Sequence, residues 1–157
     1  MMPNAPLIDV HYIYYDEPEW QITRCLESLR GEPVTVHSVP GVWGNPPVKK
    51  RAEGFALGTA PYVSYVDPDD YVEPGVYTRL LQAITSGDFD AAYGWERVFS
   101  DSGINRVCKI PHHAFLLKRN LPIEYGQAQK VFMTLPRKRV VEVEGVLYHR
   151  DLGQRHG

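Results

Sequence analysis

The strongest constraint on the fold is an alternation in the first half of the chain. Three short apolar runs, rich in β-branched and aromatic residues, occupy 7–15, 34–39 and 62–66. Each precedes a stretch whose apolar residues recur at helical spacing. The first helix opens on Glu17-Pro18-Glu19, brings Trp20, Ile22, Cys25, Leu26 and Leu29 close to one face, and stops at Gly31. The second, 48–57, has a basic start and ends at Gly58. The third begins near Pro74, carries Val76, Leu80, Leu81 and Ile84 on one side, and stops at Gly87. Between the second strand and second helix, 40–47 is a Gly-, Asn- and Pro-rich loop. The order β-α-β-α-β-α calls for a parallel sheet with right-handed crossovers. Ligands of such sheets bind beyond the carboxyl ends of the strands.

The second half reads differently. Runs 89–100 and 104–110 flank Asp101-Ser102-Gly103 as a hairpin, 112–118 is a short strand, 127–135 a weak helix, and 139–149 a closing strand. No repeat, low-complexity segment or linker divides the 157 residues, so one domain over 1–157 is expected. A net charge of -2 gives no basic field for nucleic acid, and the short 136–139 basic cluster reads as solvated surface. Cys25 and Cys108 lie in apolar segments and read as buried free thiols. The N-terminus carries no basic-then-apolar leader, and no stretch reaches the roughly 20 apolar residues of a membrane span. A cytoplasmic location is the expectation.

The third strand ends abruptly in Asp67-Pro68-Asp69-Asp70. A proline between aspartates forces a turn and crowds carboxylates, whose repulsion a cation offsets. Hard oxygen ligands with open positions suit Mn²⁺ or Mg²⁺, with a diphosphate completing the shell. The same four residues serve equally as a helix-capping turn, and the cluster alone does not choose between the two.

The surrounding run weighs toward the metal reading. Arg51-Ala52-Glu53-Gly54, then Ala56-Leu57-Gly58-Thr59-Ala60-Pro61-Tyr62, then Val63-Ser64-Tyr65-Val66, Asp67-Pro68-Asp69-Asp70-Tyr71 and Pro74-Gly75 resembles the nucleotide-binding core of GT-A glycosyltransferases of the inverting family-2 type. Arg24-Cys25-Leu26-Glu27-Ser28-Leu29 is similar to that family's first helix, and Val146-Leu147-Tyr148-His149-Arg150 to its closing strand. The resemblance implies an α/β GT-A (Rossmann-like) fold with a mixed, mostly parallel central sheet flanked by helices. It implies a metal-dependent transferase moving a sugar from a nucleoside-diphosphate sugar, UDP-sugar favoured, to an acceptor hydroxyl with inversion. By matched position, Asp69 is the principal metal ligand, Asp67 meets the ribose or the metal through water, and Asp70 supports the cluster. Arg51 approaches the diphosphate, and Tyr14, Tyr15 and Asp16 lie near the base. His149 reaches back as a metal or diphosphate contact. The acceptor is a glycan, a lipid carrier, a protein or a modified nucleic-acid base.

Three departures follow. No Asp stands in Val36-His37-Ser38-Val39-Pro40, where the family grips the base. Gly126-Gln127-Ala128 replaces the family's Gly-Glu-Asp base motif. The region after the Asp loop is short. Substitute bases are Glu124, ranked first for its closeness to the missing motif, then Asp101 and Glu96, with His112 or His113 as imidazole alternatives. The competing reading is a degenerate module that binds nucleotide or a partner without transfer. A phospho-aspartate enzyme ranks below both, because that chemistry uses first-strand aspartates.

Overall fold

The computed structural model describes residues 6–44, 47–121 and 128–153. Strands β1 (Ile8–Tyr14), β2 (Val34–Pro40) and β3 (Tyr62–Tyr65) alternate with helices α1 (Glu19–Leu29) and α2 (Pro47–Phe55). Then come β4 (Tyr71–Val72), α3 (Val76–Ile84), β5 (Ala91–Phe99), β6 (Asn105–Cys108), β7 (Phe115–Lys118), α4 (Ala128–Thr134) and β8 (Val140–Asp151). All eight strands join one sheet in the order β2-β1-β3-β7-β5-β8-β4, with β6 paired to β5. Strands β1, β2, β3, β5 and β8 run one way; β4, β6 and β7 run against them.

Both sheet faces are covered, which is why the central strands are apolar on both sides. In β7, Leu116 joins the core under α1 and α3 with Ile8, Val10, Leu29, Leu80 and Ile84. Its neighbours Phe115 and Leu117 join the opposite core, with Phe55, Tyr65, Val131 and Phe132 from α2, β3 and α4. Successive strand residues point to opposite faces, so one strand feeds two cores.

The predicted elements are found, with displaced ends. Strand β4 escapes prediction because two residues carry no period. Pairing Tyr71 with His149 and Val72 with Tyr148 pins the Asp loop against β8. Helix α3 starts at Val76, after Gly75 at φ +84°, and its cap is remote. The Glu32 carboxylate accepts the Gly75 and Tyr77 N–H groups at 3.0 and 2.9 Å.

Two glycines of the recognised run are fixed by packing. Gly58 sits at φ +76°, and a Cβ there would lie 2.2 Å from the Asp9 carboxylate. At Gly54, inside α2, a Cβ would lie 2.1 Å from the buried His11 ring. That ring also packs edge-on to Phe55 at 4.8 Å. Burial, with help from Arg51, pushes the His11 pKa down to about 3, so the ring is neutral. Gly→Ala within a helix ordinarily gains about 1 kcal/mol. Gly54→Ala is expected instead to cost about 1–3 kcal/mol through overpacking, read as a lower urea midpoint.

Candidate functional site

The carboxyl ends of β1, β3, β5 and β8 open on one side of the sheet, where the antiparallel β7 begins. This geometry brings distant segments to the Asp loop. Each of its carboxylates has a different fate.

Asp70 faces inward and is 1% exposed. It accepts the Tyr148 hydroxyl at 2.8 Å and the Asp151 N–H at 2.9 Å. The Tyr148 oxygen in turn accepts the Asp67 N–H at 3.0 Å. Burial and the neighbouring Asp67 and Asp69 charges push the Asp70 pKa well up. Asp70 therefore fixes the bend to β8 and does not line the cleft described below.

Asp67 is held between two cations. Its Oδ1 is paired with Arg51 Nη2, and its Oδ2 with His113 Nε2 at 2.9 Å. Burial would raise its pKa, but Arg51 and His113 hold it far below the usual carboxylate range. The Arg51 guanidinium also lies 3.6 Å over the Tyr65 ring. Arg51 Nη1 is buried with no partner among the described residues, a donor that a further acceptor would satisfy.

The ion chain continues past His113. His113 Nδ1 meets Glu96 Oε2 at 2.7 Å, and His112 Nδ1 meets Glu96 Oε1 at 2.8 Å. Burial lowers the His113 pKa, but its bonds to Asp67 and Glu96 win and raise it to about 9. Burial raises that of Glu96, but His112 and His113 win and lower it to about 2. Near neutral pH, Glu96 is an anion and His113 a cation.

Asp69 lines the cleft, while its backbone oxygen accepts Arg24 Nη2 at 2.8 Å. The same Arg24 nitrogen reaches Asp151 Oδ2 at 2.8 Å, and the guanidinium stacks 4.7 Å over Tyr71. The first helix thus contributes the arginine that ties the loop to the end of β8.

An open cleft of about 750 Å³ borders Tyr15, Asp16, Trp43, Arg51, Asp67, Asp69 and Asp151. The Tyr15 ring lies 4.8 Å from Trp43. Gly41 lets it lie there, since a Cβ would come within 2.3 Å of that ring. A smaller recess of about 260 Å³ shares Pro47, Arg51 and Asp67 with the cleft and adds Tyr65, His112, His113, Gln129 and Arg150.

The structure brings together Tyr15, Asp16, Arg51, Asp67 and Asp69 among the anticipated residues. It does not bring Tyr14, whose ring turns toward Tyr12 at 6.1 Å, into the cleft lining. His149 is turned elsewhere: Nε2 meets Glu73 Oε1 at 2.7 Å and Nδ1 accepts Arg97 Nε at 2.9 Å. With both nitrogens engaged and the ring stacked on Tyr71 at 4.7 Å, it has no lone pair left for a metal. Asp101 is exposed at the β5–β6 turn and lines neither cavity. Glu124, Gly126 and Gln127 lie outside the described residues.

Asp151 and Arg24 escaped the sequence reading as site residues. Asp151 lies two residues beyond the anticipated closing strand, which in the structure runs on to include it. Arg24 was read only as part of a helix.

Neither a family profile nor a curated protein sequence matches the chain. Solved structures do. Staphylococcus aureus TarS superposes with a TM-score of 0.68 at 14% identity over 92% of this chain and 36% of that one. Its 1–349 segment gives 0.66 at 14% identity, over 92% and 60%. The same segment in complex with UDP-GlcNAc gives 0.64 at 13%, over 92% and 58%. The chain spans about a third to three fifths of these TarS chains. At such identity the likeness speaks to architecture, and the architecture is that of a GT-A-type α/β fold, a central mostly parallel sheet flanked by helices.

Proposed function

We propose that this chain binds a nucleoside-diphosphate sugar, UDP-linked by preference, in the 750 Å³ cleft and transfers the sugar to an acceptor hydroxyl. One observation carries the reading: the Tyr15–Trp43 aromatic pair, Arg51 and the Asp67–Asp69 bend converge on one cleft at the strands' carboxyl ends. The aromatic pair offers a face to the base. Arg51, whose buried Nη1 has no partner among the described residues, offers a charge-assisted donor to the diphosphate. TarS structures with UDP and with UDP-GlcNAc support the choice of donor.

Asp69 and Asp67 line the cleft and are the hard oxygen donors a divalent cation takes, whereas Asp151, also in the lining, already accepts Arg24 Nη2 and the Gly153 N–H at 2.8 and 2.7 Å. Asp69 would hold Mn²⁺ or Mg²⁺, and Asp67, already balanced by Arg51 and His113, would act through water. Such an ion neutralises charge on a departing diphosphate. The chain's own residues bind the base, orient the diphosphate, and keep Asp67 ionised.

UDP at about a hundredfold excess over its Kd is expected to stabilise the protein by about 2.7 kcal/mol, roughly 5–10 °C in Tm. Asp69→Ala is expected to abolish the manganese-dependent part of that shift. A panel of nucleotides with no shift, with or without Mn²⁺, overturns the reading. A second reading, nucleotide binding without transfer, draws on the prior neutralisation of Asp67. It predicts the same shift with no release of UDP from any UDP-hexose.

A further inference from the structure

Two adjacent histidines share one carboxylate and differ in their remaining partners. Glu96, buried in β5, accepts a hydrogen bond from Nδ1 of each. His113 then turns Nε2 to a second carboxylate, Asp67, at 2.9 Å. Its ring carries a proton on both nitrogens and has no lone pair to offer. His112 has no second carboxylate partner among the described residues. Its ring is 28% exposed and lines the 260 Å³ recess. With Nδ1–H fixed on Glu96, the neutral ring keeps its lone pair on Nε2. The recess shares Pro47, Arg51 and Asp67 with the cleft, so His112 lines a space that borders the one assigned to the donor.

We infer that His112, held in one tautomer by Glu96, is the general base that deprotonates the acceptor hydroxyl. The inference rests on the nucleotide-sugar reading above, and it fills the place left by the missing acidic motif. The acceptor oxygen bonds to the anomeric carbon as that carbon's bond to the diphosphate oxygen breaks. The electron pair leaves with the nucleoside diphosphate, and the hydroxyl proton passes to His112 Nε2 and on to solvent. Glu96 is a positioning residue. The charged and titratable groups around His112 are Glu96 from β5, His113, Asp67 after β3, Tyr65 in β3, Arg51 from α2 and Arg150 from β8.

The test uses the whole chain with a panel of UDP-hexoses, with water and simple alcohols as acceptors. Released UDP is followed from about pH 5 to about pH 9. His112→Gln is expected to lower kcat about 100- to 10,000-fold and to erase the acidic limb of the kcat profile. Donor KM and the UDP thermal shift stay within about twofold of wild type, because binding is left intact. His112→Asn replaces it if the Gln variant does not fold. Glu96→Gln is expected to lower kcat less and to move the limb rather than erase it. Retention of kcat within about threefold in His112→Gln overturns the inference. So does loss of the limb in Asp101→Asn instead, or a wild type that binds UDP yet releases none from any donor. A wild type that fails to bind UDP sinks the donor reading itself, which separates the two failures.

Discussion

Asp9→Ala is expected to cost about 3–5 kcal/mol of folding stability, a large part of the roughly 5–15 kcal/mol that holds a domain of this size together. Asp9 stands near the start of β1 and is 7% exposed. Its Oδ2 accepts Arg119 Nη2 at 2.5 Å and the Ala60 N–H at 2.9 Å, and its Oδ1 meets His37 Nε2 at 2.9 Å. Burial favours the neutral acid, but His37, Ala60 and Arg119 hold the pKa below its ordinary value. Arg119 extends the network to the end of α2, donating to the Phe55 and Ala60 carbonyls at 2.8 and 2.6 Å. Truncating Asp9 leaves the Ala60 N–H without its acceptor and the Arg119 guanidinium with backbone carbonyls only and no countercharge. Arg119→Met should cost a similar amount, because the buried Asp9 carboxylate loses its guanidinium partner and keeps only the Ala60 N–H and the His37 ring. The double variant should lose clearly less than the sum, since one interaction is removed once. Urea titrations at constant m-value would read all three. Strict additivity would mean that the two residues act separately.

The second large effect is on pH. Stability is expected to fall as pH rises from about 6.5 through about 9, because the folded state holds a proton on His113 that the unfolded chain releases near 6.5. The contribution is complete below 6.5 and is gone above about 9. Glu96 works in the opposite direction. Its pKa is lowered from 4.5 to about 2, so its contribution is present above 4.5 and is lost as pH falls through about 2. The cluster supports the fold best between those two ranges. The His113 shift corresponds to on the order of 3 kcal/mol. Urea midpoints at about pH 6, 8 and 9.5 would trace the decline. His113→Gln should be less stable at about pH 6 and should show a much flatter profile. An unchanged slope in that variant would rule out His113 as the source.

Much of the fold was legible in residue order. The alternation of apolar runs and helical faces through α3 reappears in the structure, with strand ends displaced by one or two residues. Asp101-Ser102-Gly103 turns a hairpin between β5 and β6 as read. Strand β4 and the Glu32 cap on α3 were not legible. One is too short to carry a period, and the other joins residues more than 40 positions apart. The cleft was legible in part: Arg51, Asp67 and Asp69 were readable as a local run. The opposing fates of Asp67 and Asp70, the engagement of His149 by Glu73 and Arg97, and the entry of Asp151 and Arg24 were not.

The sequence by itself determined the order of elements, the strand end that carries the carboxylates, and the glycines that let His11 and Asp9 pack against α2 and its exit. Those are local matters of periodicity, turn chemistry and missing side chains. Only the tertiary structure decided which carboxylate is buried, which is balanced by cations, and which of two neighbouring histidines keeps a lone pair. Charge and protonation depend on partners that arrive from other strands. Coulomb and desolvation energies are set by distance in space, not by distance along the chain.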